Sequence, residues 1–322
     1  MSSWINQPPY KPKVLHNLNN GFRQLAPAGK IEHKTKEATV VCAFYIMKGK
    51  HSLDVYKARM RAFLEGCPCK MVFYTEETLV PFIRECRRAY EDITDVLIVD
   101  KKNWVANKNF KQTDWDSLQF KDINASSYST DYYKILFEKK EFVKRAMAYN
   151  PFGHTDFVWV NPTLCKDERI MSLVKGFPQS SRIVTDKIMI LNQSPFEFID
   201  EKVKLYGGVP LIGARAGSRI SSAIIAGSKE QWLKFSDIYD ASVKKFIQAN
   251  IFWGLDSIVM ASITLENKDK VSLIEPKPMV DPLWKSMNGL LYFGSSPALF
   301  GMLTDKAKYD KKMTCDELLE IK

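Results

Sequence analysis

The chain has 322 residues, 45% of them hydrophobic, and a formal net charge of +10 at pH 7. This size and composition are sufficient for one large or two small domains with a packed core, and they exclude an intrinsically disordered chain. The positive charge predicts either a negatively charged partner, such as nucleic acid, an anionic membrane surface or a phosphorylated small molecule, or simply a basic solvated surface.

Cysteine usage and hydropathy indicate the compartment. The six cysteines are scattered, with a single C-x-C pair at residues 67 and 69, and this predicts reduced thiols rather than a tetrahedral zinc site. The chain has no apolar run long enough to span a membrane, and its stretch MSSWINQPPYKPK has no signal-peptide pattern. We therefore expect a cytoplasmic protein.

The first elements along the chain predict a parallel α/β sheet. Residues 1–37 contain four prolines and indicate an extended basic arm. Residues 38–100 then contain three short apolar runs, ATVVCAFYI, CKMVFYT and TDVLIVD, which are separated by the helical patterns LDVYKARMRAFLEG and EETLVPFIRECRRAYE. Strands that alternate with helices at this spacing are typical of a parallel sheet with right-handed crossovers.

The remaining elements extend this sheet. Residues 101–130 are polar and aperiodic, which predicts a long loop or lid. A helix is predicted in DYYKILFEKKEFVKRAMAYN, followed by the buried strand DFVWV and by strands in RIVTDKIMILN, SSAIIAG and VSLIEPKPM. Two further helices are predicted in residues 229–249 and in WGLDSIVMASITLEN. We expect residues 38–275 to form a single large domain on which residues 276–322 pack as a C-terminal extension.

Candidate binding residues follow the predicted strands, because ligands of open α/β sheets lie at the carboxyl ends of the strands. The alternative for each lysine is an ordinary solvated loop residue. No dinucleotide fingerprint or phosphate loop is present. These positions are Phe44, Tyr45 and Lys50 after the first strand, Tyr74 in the second, and Asn161 and Thr163 after DFVWV.

Three other positions have two interpretations each. The segment GARAGSR, with Arg215 and Arg219, is either a phosphate-binding or lid loop or an ordinary turn before a strand. Asp256 begins an apolar helix, where it either caps the helix or projects into an acceptor cleft as a general base. Lys139 lies on the edge of a helix and is either solvated or directed toward the strand ends.

The succession TVVCAFY, KMVFYTEE, KKEFVKRAMAYNPF, FVWVN, AIIAGSKEQW and GLDSIVM resembles the HtrL/YibB family, which is similar to nucleotide-sugar glycosyltransferases of the GT-A fold. The resemblance covers about residues 38–275. It implies a mixed, mainly parallel sheet flanked by helices, and an enzyme that moves a sugar from a nucleoside diphosphate donor to a glycan or protein acceptor.

The resemblance also implies roles for individual residues. Asn161 stands where the family has an Asp at the end of W-[VI]-D, Lys139 matches a helix lysine on the donor side, and Asp256 matches an acidic residue before the late helix. A divalent cation, Mn²⁺ or Mg²⁺, is possible through the Asn161 carbonyl oxygen, but the amide brings no charge. Lys and Arg side chains are the alternative means of neutralising the leaving diphosphate.

Two other functions remain open at the level of sequence. The first is a non-catalytic nucleotide-sugar or glycan binder, because Asn161 replaces a charged residue. The second, less favoured, is a nucleic-acid-binding protein, because aromatic residues alternate with Lys and Asn in KKNWVANKNFKQTDW.

Overall fold

The protein is built around one mixed β-sheet. The structure is a computed structural model, and it describes residues 37–122, 124–165, 176–192, 220–267, 269–274 and 312–313. The predicted arm, the segment GARAGSR with Arg215 and Arg219, and nearly all of the predicted C-terminal extension lie outside the described residues.

Within the described ranges, the sheet has eight strands, numbered in chain order, in the spatial order β3-β2-β1-β4-β6-β5-β7-β8. The pairs β1–β2, β1–β4, β2–β3 and β5–β7 are parallel, whereas β6 runs antiparallel to both of its neighbours and β8 runs antiparallel to β7. The prediction of a mixed, mainly parallel sheet is therefore confirmed. The strands are Ala38–Phe44 (β1), Met71–Thr75 (β2), Thr94–Ile98 (β3), Asp156–Val160 (β4), Ile188–Asn192 (β5), Ile220–Ser228 (β6), Val271–Ile274 (β7) and Lys312–Met313 (β8).

Helices cover both faces of the sheet. Successive residues of a strand point to opposite faces of the sheet. Val41 and Ala43 therefore belong to one hydrophobic core, together with residues of helices α5, α6 and α7. Val40 and Cys42 belong to a second core, together with residues of helices α1 and α2. Burial on both faces explains why β1, β2 and β4 are continuous apolar runs. The helices are Leu53–Gly66 (α1), Val80–Cys86 (α2), Val105–Asn109 (α3), Gln112–Phe120 (α4), Thr130–Tyr149 (α5), Lys229–Gln248 (α6) and Asp256–Glu266 (α7).

The order of the strands creates a crevice between β1 and β4. The chain moves outward from β1 to β2 and β3 and then returns to β4 on the other side of β1. Such a switch in direction leaves a crevice at the carboxyl ends of the two central strands. Because β6 is antiparallel to β4, with Ile224 opposite Val160, its first residues lie at this same edge.

The segment between β3 and α5 differs from the predicted long loop. It contains α3 and α4, and its two tryptophans, Trp104 and Trp115, are buried in the core. Glu138 of α5 anchors the start of α3, because its carboxylate accepts hydrogen bonds from the backbone N–H groups of Val105 and Ala106, both at 3.0 Å. The two short helices were not predicted because their sequences have no extended apolar periodicity. A lid function for this segment stays a prediction.

Arg87, which follows α2, holds the connection between α1 and β2. Its buried guanidinium donates hydrogen bonds to the carbonyl oxygens of Leu64 at 3.1 Å and Cys69 at 2.8 Å, and also to that of Cys67. Its Nε donates to Thr94 Oγ1 at 2.9 Å. One cation therefore satisfies a carbonyl group in the last turn of α1 and two carbonyl groups of the connection that follows it.

We predict that Arg87→Met lowers the free energy of unfolding by about 3 kcal/mol, because it leaves several buried carbonyl groups without donors. The measurement is urea denaturation followed by circular dichroism. Arg61→Met is the matched control: Arg61 is half-exposed, pairs with Glu65 and Glu85 at the surface, and its loss is expected to cost less than about 1 kcal/mol. Equal losses for the two variants would contradict the role given to Arg87.

Candidate functional site

A cavity of about 330 Å³ opens at the carboxyl edge of the central strands. The loop after β1, the end of β4, the start of β6 and the helices α5 and α7 all contribute to its wall, as does the segment before α5. It is lined by Lys50, Asp122, Asn124, Tyr128, Tyr132, Leu136, Lys139, Asn161, Ile220, Ser221, Ser222, Ala223, Leu255, Asp256 and Ser257. Four of the residues predicted from the sequence, Lys50, Lys139, Asn161 and Asp256, therefore lie around one cavity.

A buried ion pair lies in the cavity wall. Lys139 Nζ is 2.5 Å from Asp256 Oδ2, and the exposed fractions of the two side chains are 9% and 6%. Ser222 connects the pair to β6: its hydroxyl donates to Asp256 Oδ1 at 2.8 Å, and Lys139 Nζ donates to the Ser222 carbonyl oxygen at 3.2 Å. Three elements, α5, β6 and α7, meet at this network.

The side chain of Asp256 does not cap its helix. Asp256 is the first residue of α7, and no side-chain hydrogen bond caps the helix at the preceding Leu255. A carboxylate in the first turn is still stabilised by the positive end of the helix dipole. Of the two interpretations of Asp256, the one in which it borders a cleft fits its position in the cavity wall.

Asn161 closes a turn directly after β4. Its Oδ1 accepts hydrogen bonds from the Thr163 backbone N–H at 3.1 Å and from the Thr163 hydroxyl at 2.9 Å, and its backbone N–H donates to the Ala223 carbonyl oxygen at 2.8 Å. Asn side chains commonly bond the backbone two residues ahead in this way. Thr163 therefore fixes the orientation of the Asn161 side chain, but Thr163 itself does not line the cavity.

Two tyrosines form an aromatic wall beside Lys50. The rings of Tyr128 and Tyr132 stack with centroids 4.0 Å apart, and the Lys50 ammonium is 5.5 Å from the Tyr128 centroid. Burial, together with the nearby Tyr128 and the Asp256 carboxylate, raises the pKa of the Tyr132 hydroxyl, which therefore remains protonated at neutral pH. A hydrogen bond with Tyr128 raises the pKa of Lys50.

The two tyrosines, as well as Asp122, which lines the cavity, were not predicted from the sequence. Asp122 Oδ2 accepts from the Tyr133 hydroxyl at 2.7 Å and Oδ1 accepts from the Asn124 backbone N–H at 2.8 Å. The only signal for these residues was that they fall within or next to the long aperiodic segment, where functional excursions are common.

Three other predicted donor residues do not line the cavity. Tyr45 and Tyr74 are buried, and both rings stack on Phe142 of α5, with centroids 5.9 and 5.0 Å from it. Phe44 is half-buried, and its ring centroid is 5.7 Å from that of Tyr56. Packing between the sheet and the helices accounts for these aromatic residues.

Among the described residues, the carboxylate and amide oxygens that line the cavity are a poor fit for the divalent cation that the sequence leaves possible. Asn161 Oδ1 already accepts two hydrogen bonds, and each carboxylate oxygen of Asp122 and Asp256 accepts one. Within the part of the chain that the structure describes, no group of three or more His, Cys, Asp or Glu side chains could hold a metal ion. The Lys139 ammonium next to Asp256 would also repel a cation.

No protein-family model and no curated protein matches the chain. Among solved structures, mouse xyloside xylosyltransferase 1 in its apo form is 14% identical, with a TM-score of 0.45, and the match covers 83% of this chain and 93% of that chain. Core-mannan synthase A from Aspergillus fumigatus, in its Mn/GDP form, is 12% identical with a TM-score of 0.44 and coverages of 77% and 75%. A mannosyltransferase from S. cerevisiae is 11% identical with a TM-score of 0.37 and coverages of 83% and 74%. The resemblance to the HtrL/YibB family stays a prediction.

We predict that Lys139→Met lowers the free energy of unfolding by about 3 kcal/mol, because it leaves the Asp256 carboxylate buried and uncompensated. The double variant Lys139→Met/Asp256→Leu is expected to recover more than half of this loss, since neither charge then remains. Denaturant titration measures both variants.

The control for this cycle is Lys245→Met, which removes the partly exposed pair with Glu266 and is expected to cost less than about 1 kcal/mol. If Lys139→Met were no more destabilising than Lys245→Met, the buried pair would not have the structural role described above.

Proposed function

We propose that the protein is a glycosyltransferase that moves a sugar from a nucleoside diphosphate donor to a glycan or protein acceptor. The observation that supports this function best is the composition of the cavity. It combines a lysine in the loop after β1, a stacked tyrosine pair and a carboxylate that is held in place by Lys139 and Ser222. These groups suit a phosphate, an aromatic base and a sugar hydroxyl, in that order.

The donor would lie against the ends of β1 and β4. Its nucleoside would contact the tyrosine wall, Tyr128 and Tyr132, because aromatic rings stack on nucleobases. Its diphosphate would lie near Lys50. Asn161 would face the donor sugar, with its orientation fixed by Thr163, and Lys139 would contribute a second cation to the wall.

Asp256 would act on the acceptor side. Each of its carboxylate oxygens accepts one protein hydrogen bond and retains capacity for another. In the proposed reaction the acceptor hydroxyl oxygen forms a bond to the sugar C1 while the bond from C1 to the diphosphate oxygen breaks. The bonding electrons leave with the diphosphate, and Asp256 takes the acceptor proton as general base. Arg215 and Arg219 stay proposed as acceptor or lid residues.

The reaction is tested by incubating the protein with UDP-glucose, UDP-galactose, UDP-xylose and GDP-mannose and measuring the release of UDP or GDP, with and without a mixture of oligosaccharide acceptors. Release that increases with an acceptor supports a transferase. Nucleotide binding without release from any donor would instead favour the alternative of a non-catalytic binder.

We predict that Asp256→Asn lowers kcat at least about 100-fold while nucleotide affinity changes little, because the amide cannot take a proton. The control is Asp240→Asn, since Asp240 pairs with Lys140 at 3.0 Å and does not line the cavity. This control is expected to keep nearly full kcat. An Asp256→Asn variant with full activity would rule out the general-base role.

The burial of two aromatic residues weighs against the nucleic-acid alternative. Trp104 and Trp115 are buried in the core and cannot stack on bases, whereas Phe110 is partly buried and packs against the core. The net positive charge, which also favoured this alternative, is unaffected. A steep decrease of oligonucleotide affinity with salt concentration would nevertheless support the nucleic-acid alternative.

For the described residues, no helix has the length and hydropathy needed to cross a membrane. A cytoplasmic location stays part of the proposal.

A further inference from the structure

We infer that the site neutralises the diphosphate of its donor with the Lys50 ammonium and without a divalent cation. This inference rests on the proposed function, because it concerns the same donor. The sequence leaves two means of neutralising the diphosphate open, a divalent cation or basic side chains, and the oxygen ligands and lysines around the cavity favour the second.

The carboxylate oxygens of Asp122 and Asp256 and the amide oxygen of Asn161 already accept hydrogen bonds from protein donors, so a dication at the cavity would have to compete with these donors. Mn²⁺ and Mg²⁺ bind through carboxylate and carbonyl oxygens. Asn161 stands at the position where the family has an Asp. Its side-chain oxygen accepts two hydrogen bonds from Thr163 and is therefore not available to bind a metal ion. The Asp122 carboxylate is bonded by Tyr133 and Asn124, and that of Asp256 by Lys139 and Ser222.

A cation at Asp256 would also have to displace an existing cation. Lys139 Nζ is 2.5 Å from Asp256 Oδ2 and donates to Ser222 Oγ at 3.1 Å as well. The ammonium therefore already occupies the position from which a metal ion would bind this carboxylate. These contacts hold the Lys139 ammonium in place, so it is poorly placed to move with the diphosphate as the leaving group separates from the sugar.

Lys50 differs from Lys139 because it is exposed and reaches the cavity from a loop with a fixed shape. Lys101 Nζ anchors this loop by donating to the Ile46 carbonyl oxygen at 2.8 Å. Gly49 packs so closely on Tyr56 that a Cβ atom at this position would lie 2.8 Å from the tyrosine hydroxyl oxygen. These contacts hold the backbone before Lys50, while its exposed side chain lines the cavity with the ammonium beside the Tyr128 ring.

The chemistry of the leaving group favours such a lysine. Negative charge increases on the diphosphate as the bond to the sugar C1 breaks, and a cation placed there stabilises the transition state more than the ground state. An ammonium group on a flexible stem can follow the phosphate oxygens as they move. Lys50 is the cavity-lining lysine of the described residues whose side chain is not held in a buried ion pair.

The test is calorimetric titration of UDP and GDP into the full-length protein, once with EDTA and once with MnCl₂. We expect at least one nucleotide to bind in EDTA, with a Kd that MnCl₂ changes less than about twofold. Lys50→Met is expected to weaken this binding by about 10-fold or more, the usual effect of losing a hydrogen bond to a charged group. Lys50→Arg is expected to retain most of the affinity because it keeps the charge.

The matched control is Lys48→Met, an exposed lysine two positions away that does not line the cavity. It removes the same charge and should change Kd less than about twofold. Circular dichroism before each titration checks that the variants are folded.

The outcomes separate this inference from the proposed function. Binding that requires MnCl₂ would overturn the metal-free site while supporting a nucleotide-sugar donor. Binding in EDTA that Lys50→Met leaves unchanged would overturn the role of Lys50. If UDP and GDP bind under neither condition, the proposed donor class itself fails, and the inference fails with it.

Discussion

The candidate site depends on one interaction, the buried ion pair between Lys139 and Asp256. It joins α5 to α7 and, through Ser222, joins both helices to the start of β6. Burying either charge alone would be costly, so each requires the other. The three elements come from distant parts of the chain, and their mutual position determines where the wall of the cavity lies. The ion pair also holds the Asp256 carboxylate in the wall of the cavity, next to the crevice that the strand order creates between β1 and β4.

Much of the fold follows from local sequence. Runs such as ATVVCAFYI and DFVWV predicted strands correctly because a parallel strand is covered on both faces and needs no polar residue along its length. The rule that ligands lie beyond the carboxyl ends of parallel strands also led to Lys50 and Asn161, and both line the cavity. Asp256 was singled out because it stands at the start of an apolar helix, where a carboxylate either caps the helix or projects into a cleft.

The residues that the sequence misplaced are those whose position depends on contacts between distant segments. Tyr45 and Tyr74 were expected near the donor, but the direction of each ring is set by Phe142, which belongs to a helix far along the chain. Conversely, Asp122 and Tyr128 line the cavity but were not predicted, because the sequence of the segment before α5 has no hydrophobic periodicity. The hydrogen bonds from Val105 and Ala106 to Glu138 help determine where that segment lies against the sheet.

The antiparallel direction of β6 has a consequence for how this architecture can diversify. Every other strand that contributes to the cavity does so at its carboxyl end, whereas β6 contributes its first residues, Ile220 to Ser222. These residues precede the stretch from Ile224 to Ser228 that pairs with β4. Substitutions at the start of β6 would therefore change the lining of the cavity and leave the pairing of β4 with β6 intact.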